Sequence, residues 1–174
     1  MADAPHPTDP FDPAAINAVE GLDPVSPAFA GVLRVQALLI AVAAALGLSL
    51  LDWLLLPRIG GPVGLPTALG WIGAAIFVLV IPARRAARWG FRIGEEELRV
   101  AHGWLFRTDT IVPFVRVQHI DVGQGPVERW FGLSHLVVHT SGTHNSMVML
   151  PGLPADLAAA MRETIRRHIQ SDFA

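Results

Sequence analysis

The stretch VPFVRVQHIDVGQGPVERWFGLSHLVVHTSG, residues 112–142, decides the fold of the second half of this chain. Its segments 117–122 and 133–140 are short, rich in β-branched residues and bounded by turn residues, so they predict two strands. Between them, Pro126 falls where a short helix would begin, and Gly132 falls just past its end. The stretch therefore predicts two strands joined by a capped helical turn and a half.

The short helix presents an apolar face. Val127, Trp130 and Phe131 stand at positions i, i+3 and i+4, so we expect them to form a hydrophobic plug between the strands. A phosphate loop would deliver a Lys-Ser/Thr pair into a long helix, and those residues are missing here. A nucleotide-stacking site would need exposed aromatic residues among several cations. The stretch is accordingly interpreted as part of the fold.

The same alternation of β-prone runs and turn signals surrounds this stretch and predicts further strands at Trp89–Ile93, Leu98–Ala101, Trp104–Arg107 and Met147–Leu150. After Pro154 the period changes to that of a helix, with one apolar face formed by Leu157, Ala158, Met161, Ile165 and Ile169. We predict an all-β domain over residues 86–170, with six or seven short antiparallel strands closed by a C-terminal helix.

Many positions of residues 112–142 resemble the signature of the bacterial pleckstrin-homology-like (PH-like) domain of small membrane proteins. The matching residues are Pro113, Arg116, Gln118, Val122, Gln124, Gly125, Pro126, Arg129, Phe131, Gly132, Leu133, Val138, Thr140 and Gly142. The resemblance implies a seven-stranded sandwich or barrel capped by a C-terminal helix, without catalytic residues or a cofactor. It also implies assembly with a longer membrane protein that carries several PH-like domains.

The first half of the chain contains two long apolar segments. Residues 35–56 carry one charge and would span about 33 Å as a helix, and residues 64–82 form a second, shorter segment. Neither has the polar face of a helix in a soluble bundle. We predict a transmembrane helical hairpin over residues 33–82, which is similar to the usual layout of the family.

The cations that flank the hairpin predict its orientation. Four of them follow the second span, Arg84, Arg85, Arg88 and Arg92, whereas the connection at residues 57–64 carries Arg58 alone. By the positive-inside rule, both termini should be cytoplasmic and the protein should be a multi-pass protein of the bacterial inner membrane. The N-terminal tail, residues 1–32, is rich in proline and acidic residues and should be disordered.

Composition excludes several classes of function. The chain has no cysteine, so disulfides and thiolate chemistry are absent, and its net charge of −2 is unlike that of a nucleic-acid-binding protein. No cofactor and no catalytic constellation are predicted. Asp52, the single charge inside a span, lies beside Trp53 and is best interpreted as a hydrated carboxylate at the membrane interface.

Histidines raise the question of a metal site. His135 and His139 would lie about 13 Å apart along one strand, too far to share an ion, whereas His119 and Asp121 share one strand face at about 6.6 Å. Since a metal site needs three or four convergent ligands, no metal is predicted. Arg116 and Gln118 could line a polar pocket, although hydrogen bonds at strand ends are the more ordinary use of such residues.

These features lead to one main hypothesis and two alternatives. We expect a non-enzymatic membrane protein whose cytoplasmic PH-like domain acts as an interaction or assembly module, as a homo-oligomer or with another membrane protein. The first alternative is an accessory subunit for lipid or small-molecule handling or transport, with anionic lipids contacting Arg84, Arg85, Arg88 and Arg92. The turn GEEELR, residues 94–99, would repel a phosphorylated headgroup. The second alternative is an enzyme using Asp52 or His119 with Asp121.

Overall fold

The computed structural model describes residues 21–59, 64–104, 106–141 and 147–171. In chain order the elements are β1 (Asp23–Pro24), α1 (Phe29–Ile59), α2 (Leu65–Ala86), β2 (Gly90–Ile93), β3 (Glu97–His102), β4 (Thr108–Pro113), a 3-10 helix (Phe114–Arg116), β5 (Val117–Gly123), α3 (Pro126–Trp130), β6 (Leu133–Thr140), β7 (Met147–Pro154) and α4 (Ala155–Ser171). Two apolar helices are thus followed by a two-sheet sandwich and a C-terminal helix, which confirms the predicted fold class.

The strands form two antiparallel sheets. One has four strands in the order β1-β2-β3-β4, and the other has three in the order β5-β6-β7. The predicted strand at Trp104–Arg107 is wrong, because Trp104 and Arg107 belong to the turn between β3 and β4. At Gly103, φ is 122° and a Cβ would lie 1.8 Å from the Phe106 carbonyl oxygen, so the chain reverses here more tightly than a strand allows.

Large aliphatic side chains fill the space between the sheets and α4. The core side chains that are almost completely buried include Leu98, Leu136, Leu150, Leu153, Met161 and Ile165. Ala158, Met161 and Ile165 line the buried face of α4, as the helical period predicted, whereas Leu157 of the predicted face is 39% exposed. Each large side chain removed from water contributes roughly 1.5–3 kcal/mol, so this core supplies the main stabilisation of the sandwich.

The segment before the hairpin is part of the sandwich. Asp23–Pro24 pairs with β2, and Val25, Phe29 and Val32 are buried in the same core as the strands. The Ser26 amide donates a hydrogen bond to the Gly152 carbonyl oxygen on β7 at 2.9 Å. The prediction of a disordered tail is therefore wrong for residues 21–32, and its residues 1–20 lie outside the described residues. The apolar residues Val25, Phe29 and Val32, between and after the last two prolines of the tail, make this segment a core element.

Helices α1 and α2 have 31 and 22 residues, and both are long and apolar enough to cross a membrane. Their packing is carried by small residues: Ala37, Ala41 and Ala45 are buried, whereas large side chains of the same helix, such as Leu39, face outward. Helix α1 begins before the predicted hairpin, because its first turn is the part buried in the sandwich. One continuous helix therefore joins the sandwich core to the spanning hairpin.

Asp52 closes the far end of the hairpin. Its Oδ2 accepts hydrogen bonds from the Gly64 amide at 2.9 Å and from Thr67 Oγ1 at 2.6 Å, at the beginning of α2. The residue is only 3% exposed, so the prediction of a hydrated interfacial carboxylate is wrong. The carboxylate thus links α1 to the first turn of α2. Its hydrogen-bond partners lie on the other side of the connection between the two helices, so the sequence of the first span alone does not reveal them.

Candidate membrane-surface site

A cavity of about 580 Å³ lies where α2 meets the sandwich. Arg84 and Arg88 line it one helical turn apart, together with Ala83, Ala87 and Trp104. Arg84 belongs to the last turn of α2, and Arg88 follows the helix in the turn that leads to β2. Two arginines therefore line one cavity at the predicted cytoplasmic end of the hairpin.

The structure divides the four predicted arginines. Arg84 and Arg88 share the cavity, Arg85 is exposed outside its lining, and the Arg92 guanidinium lies against Gly21. Among the described residues, none that lines the cavity is acidic. The cavity is thus positively charged and suits an anionic group, because a guanidinium binds phosphate or carboxylate oxygens through several donors in a fixed geometry.

Aromatic side chains stand beside this cavity on the β3–β4 turn. Trp104 lines the cavity and is 42% exposed, and Phe106, two residues later, is 86% exposed. The tight turn at Gly103 projects both from the end of the hairpin formed by β3 and β4. Aromatic and cationic side chains at the end of an apolar helix are typical of a membrane–water interface. Sequence reasoning missed this arrangement because it placed Trp104 in a strand.

The residues of the family motif around α3 form a local hydrogen-bond network. Gln124 Nε2 donates to the Leu133 carbonyl oxygen at 2.8 Å, and Gln124 Oε1 accepts from Arg129 Nε at 3.4 Å. The Gly125 amide donates to Glu128 Oε2 at 2.7 Å, which caps the helix that Pro126 begins. This part of the motif holds the connection between β5 and β6 in a defined shape.

Helix α3 does not place all of its apolar face between the strands. Trp130 is 86% exposed, and Phe131 packs against α1, where a Cβ at Gly31 would lie 2.5 Å from Phe131 Cε1. The predicted plug of Val127, Trp130 and Phe131 is therefore wrong for Trp130 and misplaced for Phe131. Sequence reasoning could not foresee this contact, because it joins residues 100 positions apart. Gly132 ends the helix with φ of 67°, as predicted.

Three motif residues lie near the ends of strands. Pro113 ends β4 and precedes the 3-10 helix, and the Arg116 carbonyl oxygen accepts a hydrogen bond from the Ser141 amide at 3.0 Å. Gln118 is exposed at the irregular register near the start of β5. The main chain of Arg116 thus joins two strand ends, while neither Arg116 nor Gln118 lines the membrane-surface cavity.

The histidines separate as the strand geometry requires. His135 Nδ1 lies 2.8 Å from Glu128 Oε2 in the motif network, whereas His139 lies opposite His119 across β5 and β6. Asp121, on the same face, completes a group of three potential metal ligands. Sequence reasoning found His119 and Asp121 but missed His139, because α3 interrupts the connection and hides the strand register.

The structure combines a helical hairpin whose apolar side chains face outward with a two-sheet sandwich, and a basic cavity lies where the two meet. These features define the class of membrane-anchored β-sandwich proteins. Residues 21–169 match the family model described as Bacterial PH domain, so the chain belongs to the bacterial PH domain family and the predicted resemblance is confirmed. It is a transmembrane protein with a bacterial PH-like domain.

The chain is similar to the UPF0699 transmembrane protein YdbS of Bacillus subtilis (strain 168). The two proteins are 33% identical over 104 residues, which cover 60% of this chain and 64% of YdbS. The match thus spans less than two thirds of that relative. No solved structure matches this chain.

Proposed function

We propose that this protein is a non-enzymatic, multi-pass inner-membrane protein whose PH-like domain acts as an interaction or assembly module at the cytoplasmic leaflet. The main support is the burial of Phe29 and Val32, in the first turn of α1, within the sandwich core. Because the same helix continues into the spanning hairpin, the domain is held at the membrane surface in a defined orientation. A fixed orientation at the membrane surface would present the exposed face of the sandwich to neighbouring membrane proteins, as an interaction or assembly module requires.

The orientation rests on the distribution of arginines. Arg84, Arg85 and Arg88 follow α2 on the sandwich side, while Arg58 stands alone at the other end of α1. Under the positive-inside rule this asymmetry supports a cytoplasmic position for the sandwich and for both termini. The relative YdbS is named a transmembrane protein, which is consistent with a membrane location for this chain.

Single-cysteine labelling tests the orientation cleanly, because the chain has no cysteine of its own. We expect a membrane-impermeant maleimide to label Arg58→Cys in intact spheroplasts and to label Glu163→Cys, on α4, only after lysis. The unsubstituted chain is the control for background labelling. Labelling of Glu163→Cys in intact spheroplasts would refute a cytoplasmic sandwich.

Native mass spectrometry of the protein extracted in mild detergent tests the assembly module. We expect a defined homo-oligomer or a complex with another membrane protein that carries PH-like domains. Substituting the exposed Trp130 and Phe106 by Ser shows whether these side chains contribute to the complex, and Leu39→Ala serves as an exposed control in the hairpin. A monomer under all extraction conditions would contradict the proposed module.

A second candidate function is the handling of an anionic lipid by an accessory subunit. The supporting observation is the cavity in which Arg84, Arg88 and Trp104 meet at the end of α2. An anionic headgroup there would contact both guanidinium groups while its acyl chains follow the exposed apolar surface of α2. The glutamates of the turn GEEELR belong to the β2–β3 connection and do not line this cavity.

Lipid co-purification distinguishes the second function from the first. The double substitution Arg84→Gln, Arg88→Gln should reduce the anionic lipid retained per protein, because each cation near an anionic surface contributes about 1 kcal/mol. The matched control is Arg162→Gln, Arg166→Gln, which removes two exposed arginines at the same spacing from α4. Equal lipid retention in both double variants would exclude the cavity as a lipid site.

A further inference from the structure

The outer face of the sheet β5-β6-β7 carries a cluster of metal-ligating side chains. His119 on β5 pairs in register with His139 on β6, and Asp121 follows two residues after His119 on the same face. The cluster lies on the sandwich surface, with His119 and Asp121 exposed and His139 partly buried. It takes no part in the membrane-surface cavity or in the motif network.

The distances within this cluster bring three donor atoms together. His139 Nε2 is 3.3 Å and His119 Nε2 is 3.9 Å from Asp121 Oδ2, and the two imidazole rings are nearly parallel with centroids 4.0 Å apart. The three ligand atoms all lie within 4.8 Å of one another. Ligands held about 2.0–2.1 Å from a tetrahedral zinc ion are roughly 3.3–3.5 Å apart, close to the spacing found here. Binding would require the stacked imidazole rings to turn out of their parallel arrangement toward the ion, which the exposure of the His119 and Asp121 side chains allows.

We propose that His119, Asp121 and His139 form a surface binding site for a zinc-like divalent transition-metal ion. Two imidazole nitrogens and one carboxylate oxygen suit Zn²⁺, Co²⁺ or Ni²⁺, whereas Mg²⁺ and Ca²⁺ prefer ligand sets made of oxygen. The backbone pairing of β5 and β6 holds both histidines at a fixed spacing before the ion binds. Three protein ligands leave at least one coordination position for water or for a further ligand.

His135, another histidine of the same sheet, lacks among the described residues the neighbours that a metal site needs. His135 lies on the same strand and face as His139, but its Nδ1 is engaged by Glu128 in the motif network. His135 and His139 are four residues apart along β6, about 13 Å, so they cannot share one ion. His135 therefore offers a matched control for a substitution on the same surface.

The test is isothermal titration calorimetry of the full chain in detergent with Zn²⁺, using a purification tag that lacks histidine. We expect one equivalent of Zn²⁺ to bind, and the separate variants His119→Gln, Asp121→Asn and His139→Gln each to weaken binding by a factor of about ten or more. The absorption of Co²⁺ bound at the same site should show the intense visible bands of four-coordinate geometry. Mg²⁺ should not compete.

Control variants keep the outcome interpretable. His135→Gln should retain the affinity of the unsubstituted chain, and unchanged thermal unfolding of each ligand variant without metal will show that the sheet is intact. Absence of Zn²⁺ binding to the unsubstituted chain would overturn the proposal. So would undiminished binding by the triple variant of the three ligands, or a loss of binding in His135→Gln.

Discussion

The sandwich and the hairpin bury opposite kinds of side chain. In the sandwich, Leu98, Leu136 and Leu150 have no exposed surface, whereas in the hairpin Leu39 is 66% and Leu79 is 68% exposed while Ala41 and Ala45 are buried. Water drives large apolar groups inward, but lipid offers them an environment as apolar as a protein core. Helices in a membrane therefore associate through small residues that allow close approach. The two regions are built for two solvents within one chain.

The boundary between these regions lies inside α1. In its first turn the large apolar side chains of Phe29 and Val32 are buried, as in the sandwich. A few residues later Leu38 and Leu39 already face outward. One continuous helix thus passes from the water-soluble sandwich core into the lipid environment of the hairpin. Changes made on each side of this boundary, and at the boundary itself, should have different consequences.

The largest difference is expected between two equivalent truncations. Leu136→Ala should lower the free energy of unfolding by about 2–5 kcal/mol, because it leaves a cavity in a fully packed core. Leu39→Ala should change it by less than about 0.5 kcal/mol, because its side chain is exposed to lipid or detergent. Urea unfolding in mild detergent, followed by tryptophan fluorescence, measures both. Equal losses would mean that the hairpin buries Leu39 in an assembly.

Gly152, at the joint between the regions, should give the next largest effect. Its φ is 73°, and a Cβ there would lie 2.7 Å from Phe29 Cγ, so Gly152→Ala should cost about 1–2 kcal/mol for the backbone alone and more because Phe29 must move. Thermal unfolding reports the loss. Gly73→Ala, in α2 with open space around it, is the control and should not destabilise the protein. Similar transition temperatures for both variants would mean that the packing of Phe29 against Gly152 contributes little to stability.

Asp52 should give a smaller effect that is confined to the hairpin. Asp52→Ala removes the acceptor for the Gly64 amide and for Thr67 Oγ1, which should cost about 0.5–2 kcal/mol, the usual range for a lost helix cap. Hydrogen exchange should become faster at residues 64–68 and stay unchanged in β6. Asp52→Asn keeps an acceptor oxygen and should restore most of the protection. Faster exchange throughout the sandwich would show that the two regions unfold together.

The smallest effect is expected from an exposed ion pair in the sandwich. Arg99 Nε donates to both carboxylate oxygens of Asp109, at 2.9 and 3.0 Å, and this hydrogen bonding lowers the pKa of the Asp109 carboxyl below its ordinary value of 3.8. The folded state therefore binds this proton less readily than the unfolded state. The stabilisation is present above pH 3.8 and disappears as the pH falls through the lowered pKa.

Comparison with Asp109→Asn makes this pH dependence measurable. At neutral pH the unsubstituted chain should have a slightly higher transition temperature, and the difference should vanish in acid. Arg99→Gln should behave like Asp109→Asn, because either change removes the pair. A difference that grows as the pH falls would mean that another group is responsible.

Much of the fold could be predicted because its signals are local. Span length and the absence of a polar face indicate the hairpin, and turn residues and β-branched runs indicate most strands. A turn at Gly103 was expected, but a strand was wrongly predicted to follow it, because Trp104 and Phe106 have high β propensity, which the close approach of Gly103 and Phe106 overrides. The site was predicted only in part. The sequence indicated the arginine cluster, but not that Arg84 and Arg88 line a cavity while Arg92 lies against Gly21.

Short-range chemistry along the chain, then, determined that this protein is an apolar helical hairpin followed by an antiparallel β domain with a C-terminal helix, because hydrophobic periodicity and turn geometry depend on neighbouring residues. Tertiary structure alone decided that Phe29 belongs to the sandwich, that Trp104 meets Arg84 and Arg88, and that His139 faces His119. These contacts depend on sheet register and on the path of long connections. Such features are set by the packing of the whole core, and no local pattern encodes them.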